Sequence, residues 1–445
     1  DVNQDGMDDI FVGGAKQQAA SLFIQGKNGI FSAKQIELFQ EDKVNEDISQ
    51  VFFDVNGDVY PDLLVVSGGN EFKEGKSLAP RLYRNHNGIF IKDTVQFKNM
   101  NINASKVKTW DMENDGDLDI IITSNAVPWE FGITPKQYIF ENDGDGLFTD
   151  ITQDYAPKLL ELGNVTDVLV EDLDGNGYVD LVFSGHWMPI SIFMNDGKRL
   201  TKVKNEGLQN SNGLWNSIAS IDLDNDGDLD LIAGNWGMNS KLKASPSEPI
   251  TLYKTDIDGN GSLETILTYY HQGTETVLAS KDELTKQIPA LNKEFLSYSE
   301  FAKASVSELF PKTKFNNSLQ KKVYELATCY FENLGDGDFI KTPLPTLAQV
   351  SNVHDILTEN DGATKTIILI GNNHEISTQL GRMDASHGLI LYPSPNVPFT
   401  EAEYDVLGVS GAARTMAKIK IEDTEGYLIS RNNDSLIFIP KVRRK

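Results

Sequence analysis

Residues 222–234 read DLDNDGDLDLIAG: aspartates at positions 1, 3, 5 and 9 of a nine-residue run, glycine at position 6, then an apolar stretch. The same pattern opens at Asp1 (DVNQDGMDD, then IFV), Asp54 (DVNGDVYPD, then LLVV), Asp111 (DMENDGDLD, then IIIT) and Asp172 (DLDGNGYVD, then LVF). The five starts are 53, 57, 61 and 50 residues apart. A sixth copy, DIDGNGSLE, starts at Asp256, only 34 residues after the fifth, and breaks the rhythm.

Stretches rich in β-branched and aromatic residues precede the copies (DISQVFF, KVKTW, VTDVLVE, NSIASI) and read as strands. Roughly 30 residues after each acidic run comes a second signature: GKNGIF, RNHNGIF, ENDGDGLF, MNDGKRL or ENLGDGDF. Asn-Gly and Asp-Gly pairs between apolar runs mark hairpin turns. One period is therefore strand, acidic loop, strand, longer loop, strand, glycine hairpin, strand. That is the four-stranded unit of a β-propeller, which a sandwich with acidic loops would not repeat. The sequence predicts an all-β propeller formed as a single domain over 1–445. Blades fall near 1–40, 47–97, 105–155, 165–208, 215–345, 351–405 and 412–445. Seven blades result, with an insertion at 245–327 carrying the sixth motif, or eight if the insertion is itself a blade. Ser280 to Glu283 forms a capping box, and Leu284, Ile288, Leu291 and Phe295 follow at helical spacing, so the insertion's second half reads as helical. Its apolar face is expected either to cap the propeller or to dock a partner subunit. The chain opens inside a copy, so upstream sequence is expected to complete the first blade.

The acidic loops have the chemistry of a hard-cation site. Calcium takes six to eight oxygens, and carboxylates or amides at positions 1, 3, 5 and 9 can wrap one ion, with glycine at 6 allowing the turn. The candidate ligands are Asp1, Asn3, Asp5 and Asp9; Asp54, Asn56, Asp58 and Asp62; Asp111, Glu113, Asp115 and Asp119; Asp172, Asp174, Asn176 and Asp180; Asp222, Asp224, Asp226 and Asp230; and Asp256, Asp258, Asn260 and Glu264. Position 12, where an EF-hand needs a carboxylate, holds Val12, Val65, Ile122, Phe183 or Ala233. Magnesium resists such dehydration, so five to six calcium ions are the expectation. The patterns near Asp361 and Asp423 decay, and no tight site is expected there.

The net charge of −25 takes a different meaning in this light. Twenty carboxylates sit at ligand positions, and six divalent ions would bring the charge to about −13. What remains still disfavours nucleic acid as a partner. The single cysteine, Cys329, excludes a disulfide within the chain and a four-cysteine zinc site. No apolar run is long enough for a transmembrane segment.

The loops DLDNDGDLDLIAG and DMENDGDLDIIIT, with the hairpins ENDGDGLF and ENLGDGDF, resemble the FG-GAP repeats of integrin α-subunit propellers. They also resemble the VCBS repeats of bacterial surface proteins and of the cartilage acidic protein family. The resemblance is strong over 1 to about 240 and weak over 328–445. It implies that the acidic loop joins the first and second strands of a blade and carries calcium. The stretch from DIDGNGSLETILTYY to CYFENLGDGDF resembles Bacteroidota envelope proteins, which implies an outer-membrane lipoprotein, exposed at the cell surface and associated with membrane-protein subunits.

Loops between second and third strands emerge opposite the acidic loops. They gather Asn70, Glu71, Asn125, Trp129, His186, Trp187, Asn235, Trp236, Asn372, His374, Arg382 and Asp384 on one rim, the residue types that bind a protein or glycan ligand. No nucleophile elbow, zincin helix or P-loop is present, so a binding module is expected and no catalytic residue is assigned. The enzymatic alternative is a propeller-type polysaccharide lyase or hydrolase, pairing His186 or His374 with Glu71 or Asp384.

Overall fold

The computed structural model describes residues 1–441 apart from 336, 363, 378 and 395–398, and shows an all-β chain of antiparallel sheets. The first sheet has three strands, β1 (Ile10–Val12), β2 (Ser21–Gln25) and β3 (Phe31–Lys34). The second comprises β4 (Asp47–Phe53), β5 (Asp62–Ser67), β6 (Arg81–His86) and β7 (Ile89–Lys92). The third comprises β8 (Lys106–Trp110), β9 (Asp119–Thr123), β10 (Tyr138–Asn142) and β11 (Phe148–Asp150). The fourth is β12 (Asn164–Glu171), β13 (Asp180–Met188), β14 (Ser191–Asn195) and β15 (Leu200–Lys202), with β16 (Gly213–Leu214) added to β13. The fifth begins with β17 (Ser217–Ile221) and β18 (Asp230–Gly234). An inserted sheet follows, made of β19 (Ile250–Thr255), β20 (Glu264–His271), β21 (Thr274–Val277) and β22 (Leu319–Val323). The fifth sheet then resumes with β23 (Cys329–Asn333) and β24 (Phe339–Pro343), β23 pairing directly with β18. The sixth is β25 (Val353–Asn360), β26 (Lys365–Gly371), β27 (Leu389–Tyr392) and β28 (Glu403–Val406). The last has three strands, β29 (Ala413–Ile421), β30 (Thr424–Arg431) and β31 (Ile437–Pro440).

Outside the insertion every sheet is a meander, and from the second sheet on its first strand packs on that of the next: β4 on β8, β8 on β12, β12 on β17, β17 on β25, β25 on β29. This is a propeller-like arrangement. The core lies between sheets: Leu64 and Val66 meet Ile120 and Ile122, Ile121 and Ile139 meet Val168 and Phe183, and Ile368 and Ile370 meet Met416 and Ile429. A middle strand covered on both faces cannot alternate polar and apolar residues, which is why β5 and β9 are buried at every position. Polar side chains reinforce these seams. Val107 N–H donates to Ser49 Oγ, Ile218 N–H to Asp167 and Met416 N–H to Asp355, each bond crossing to a neighbouring first strand. The first and last sheets are also tied. Gln25 Nε2 donates to the Lys420 carbonyl at 3.0 Å, Glu422 N–H to Gln25 Oε1 at 2.9 Å, and Lys420 N–H to Asp8 at 2.7 Å.

The insertion differs from its sequence reading in two ways. It is a sheet as well as helices, and its strand order, β21-β20-β19-β22, is not that of the other sheets. The sequence LQKKV of β22 gave little apolar signal, because it is fixed by pairing with β19 rather than by alternation. The helical run is also broken. One helix spans Lys281–Gln287 and a short one Leu291–Glu294, with Ile288 between them in a non-helical conformation ahead of Pro289. The Ser280 capping box is present, Ser280 Oγ accepting from Glu283 N–H. Leu284, Ile288 and Leu291 are buried, and with half-buried Phe295 they close on Ile257, Ile266 and Tyr253 of the insertion's own sheet. The expectation that this face caps the propeller or docks a partner is corrected. Polar side chains rather than this apolar face meet the rim: Lys254 Nζ donates to the Phe131 carbonyl, Lys321 Nζ to Thr134 Oγ1, and Gln379 Nε2 to the helix residue Glu283 at 2.6 Å.

Candidate metal centres and rim

The second to sixth acidic loops occupy positions 1–8 between two strands, and position 9 starts the second strand at Asp62, Asp119, Asp180, Asp230 and Glu264; in the first copy β1 begins one residue after Asp9. Inside the loop the side chains accept backbone N–H groups in sequence. In the fourth loop Asp172 accepts from Asn176 and Gly177, Asp174 from Asn176, and Asn176 Oδ1 from Tyr178. The first, second and sixth loops repeat this curl. The second turns without glycine at position 6 by holding Val59 at φ 70°. In the fourth, fifth and sixth loops neighbouring carboxylates are turned toward one another. One oxygen from each of Asp172, Asp174 and Asp180 lies within 4.8 Å of the others, as do oxygens of Asp222, Asp224 and Asp226, and of Asp256, Asp258 and Glu264. Oxygens bound to one calcium at 2.3–2.6 Å have such separations, so the donor sets fit that ion.

The third loop gives a second test of fit. Glu113, the longer arm at position 3, reaches inward beside Asp119. Burial, then the charges of Asp119 and Asp115, push Glu113 up to about 8, and burial lifts Asp119 and Asp117 to about 6. Glu113 Oε2 and Asp117 Oδ1 are buried without a hydrogen-bond donor, an arrangement a bound cation would complete. Burial likewise raises Asp180 and Asp230 to about 6.

Position 9 also has a structural role that the ligand assignment did not contain. Its carboxylate accepts the N–H of position 2 with one oxygen: Val2 to Asp9, Val55 to Asp62, Met112 to Asp119, Leu173 to Asp180, Leu223 to Asp230, and Ile257 to Glu264. In the first five loops its other oxygen accepts the N–H of Gln25 at the end of β2, or of Asn85, Asn142, Asn195 or Asn333 at or near the end of the third strand. Those amides continue outward. Asn85 Nδ2 donates to the Val2 carbonyl, Asn142 to Val55 and Asn195 to Met112, position 2 of the preceding sheet's loop. The sequence showed these asparagines in RNHNGIF, ENDGDGLF, MNDGKRL and ENLGDGDF, always just before the hairpin. They are the functional residues that turn chemistry alone did not reveal.

The decayed copies behave as different objects. In the sixth sheet the residue opening the second strand is Lys365, whose buried ammonium meets the Asp222 carbonyl and lies 3.5 Å from its carboxylate. Residue 363 of that copy lies outside the described residues. The Asp423 copy shrinks to a two-residue turn between Ile421 and Thr424.

The rim residues divide. Trp129 is 63% exposed at φ 65°, with its backbone N–H and Nε1 both donating to Asn70. Asn70, Glu71, Arg382 and Asp384 are exposed, and Asn125 is half-buried. Burial, then neighbouring Glu71, pushes Glu46 up to about 7. Asn235 and Asn372 are corrections. Both are fully buried, Asn235 binding the Glu325 and Ala327 carbonyls and Asn372 those of Ser386 and Gly411, so neither offers a group to a ligand. Trp187 and Trp236 are half-buried and pack around Leu242, Ile250 and Val323. His186 and Trp187 belong to β13 rather than to a loop. His186 faces Asn216 at 3.3 Å and His374 faces the Arg382 guanidinium at 3.0 Å, instead of the carboxylate partners of the enzymatic alternative. His374, Arg382 and Asp384 line a cavity of about 410 Å³ between the sixth and seventh sheets in chain order, which also includes His387 and Asp434. Among the described residues no helix is long and apolar enough to cross a membrane.

No curated protein sequence matches the chain. Among solved structures a similar one is the V. cholerae biofilm matrix protein Bap1, with a TM-score of 0.32 and 9% identity over 99% of this chain and 79% of that one. A likeness at that level carries no argument here. Residues 1–65, 54–122, 111–183 and 172–233 each match the model described as FG-GAP-like repeat, and together they span more than half of the 445 residues. The chain belongs to the FG-GAP-like repeat family.

Proposed function

We propose that the chain is a seven-bladed propeller, closed by the Gln25 and Asp8 bonds to the last sheet, that binds calcium at its acidic loops and acts as a binding or scaffold module. The inserted sheet, with its own strand order, is an appendage of the fifth blade. Ligands of protein or glycan type are engaged on the face opposite the loops. The observation that carries this reading is the recurrence of one loop whose oxygens converge while its position-9 carboxylate fixes the neighbouring strands. Open loops of this design fall in the class that needs about 10⁻⁴–10⁻³ M calcium, which favours an extracytoplasmic site such as the bacterial cell surface or outer membrane. Ions that bind only the folded chain stabilise it by mass action. Metal analysis after removal and reloading should return five to six calcium ions, and chelation should lower the melting temperature. An unmoved melting curve together with no bound metal would refute the reading.

A further inference from the structure

A second cavity, of about 310 Å³, lies where the inserted sheet meets the rim of the third and fourth sheets. Its wall includes Lys321 and Lys322 of β22, His186 and Trp187 of β13, Asn212 and Tyr324. Lys321 Nζ donates to Thr134 Oγ1 at 2.8 Å and to Asn164 Oδ1, both neutral acceptors. Among the described residues no carboxylate lies within ion-pair distance of it. That is anomalous in a chain where acids outnumber bases 65 to 40. The two lysines withdrawn furthest from solvent, Lys254 and Lys365, each have a carboxylate, Glu130 and Asp222. Burial without an opposing charge pulls Lys321 down to about 8. An ammonium held in a partly desolvated wall by neutral groups is stabilised by an anion placed in the cavity.

The remaining wall indicates which anion. Trp187 is held at φ 65°, a region costly for a bulky residue, and lines the cavity with apolar surface. Asn212 adds a neutral amide and Lys322 a further cation. The volume lies at the small end of ligand pockets and suits one sugar ring better than a folded partner. We infer that this cavity binds a carboxylate-bearing pyranose, a uronate or sialate unit, with Lys321 as counter-ion to the carboxylate and Trp187 as the apolar wall for the ring. The inference rests on the binding-module reading and narrows it to a ligand class.

Calorimetry on the full chain with saturating calcium tests it, using a trigalacturonate, a sialyl trisaccharide, their carboxyl-reduced counterparts, a neutral glucan trimer and an Asp/Glu tetrapeptide. One acidic sugar should bind saturably, its reduced counterpart at least tenfold more weakly. Lys321→Met should weaken binding at least tenfold while melting no lower than the parent, because it removes an unpaired charge. Carboxyl reduction on the unaltered protein keeps the test decisive if the variant folds poorly. Equal binding of reduced and acidic sugars, or saturable binding of the tetrapeptide alone, overturns the inference. Binding of the glucan untouched by Lys321→Met overturns it while leaving the binding-module reading standing.

Discussion

Replacing Asn195 by alanine should cost about 3 kcal/mol, a large value for one polar residue. The side chain is 1% exposed and makes four hydrogen bonds: Nδ2 to the carbonyls of Met112 and Val179 at 2.9 and 3.1 Å, Oδ1 from the Tyr155 hydroxyl and the Gly197 N–H at 2.6 and 2.9 Å. Gly197 sits in a surface turn, where water can replace the lost bond. Met112 and Tyr155 are buried, so their groups are left unsatisfied at about 1–3 kcal/mol each. Tyr155→Phe removes one of these bonds and should cost about 1 kcal/mol. The pair should be non-additive by a comparable amount, because both substitutions delete the same contact. Urea unfolding in calcium-saturated buffer measures all three variants. A second readout is specific to the seam. Asn195 belongs to the fourth sheet, yet it should weaken calcium binding at the third loop, because Met112 is position 2 of that loop and its N–H is bound by Asp119. A loss below about 1 kcal/mol with unchanged denaturant dependence would show that the amide does not couple the sheets.

Asp226→Ala should remove about one calcium ion from the total without unfolding the chain, as read by metal analysis and circular dichroism. Glu46 is raised to about 7, so the folded protein holds its proton above the pH at which an unfolded glutamate releases it. The folded chain then binds more protons than the unfolded one from about pH 4.5 to 7, and stability should fall as pH rises through that window. Glu46→Gln should flatten this slope in melts at fixed calcium, and an identical slope would disprove the assignment. Deleting residues 241–324 with a short Gly-Ser bridge should leave a cooperative melt, because β18 and β23 pair without the insertion. Deleting only 281–315 strips the cover from Ile257 and Ile266 and should lower solubility and expose a dye-binding apolar face.

Much of this was legible because the decisive features are local. A loop with oxygens at positions 1, 3, 5 and 9 states its own turn, and the apolar residues after it must be strand. Among the described residues, strands accordingly flank the second to fifth acidic loops. What escaped depends on contacts between distant segments. Asn235 and Asn372 carry the same side chain as exposed Asn70, and only tertiary packing distinguishes a buried strut from a rim ligand. Strand β22 gained its identity from β19, 65 to 73 residues earlier in the chain. Trp187 looked like a loop residue because Gly185 precedes it and Pro189 follows it closely, yet β13 continues through Met188.

The hydrogen-bond register makes cation sites and sheet seams one structure. The position-9 carboxylate would face a cation while also fixing position 2, whose carbonyl is held by the next sheet's asparagine, as in the chain Asp119, Met112, Asn195. Without a cation burial raises Asp119, favouring a protonated form that is a poorer acceptor for those N–H groups. With a cation the carboxylates stay ionised and the seam bonds strengthen. Calcium occupancy at one loop should therefore be felt at the boundary with the following sheet, more than within the sheet that carries the loop. Amide hydrogen exchange on the calcium-free and calcium-loaded chain separates these cases. The side-chain amide of Asn195, bonded to the Met112 carbonyl, reports on the boundary with the fourth sheet, the N–H of Asn142, bonded to Asp119, on the sheet that carries the loop, and that of Ile218, bonded to Asp167 on a different seam, serves as the internal reference. Equal slowing at all three on adding calcium would mean that the ion merely stabilises the whole chain and that the seam transmits nothing.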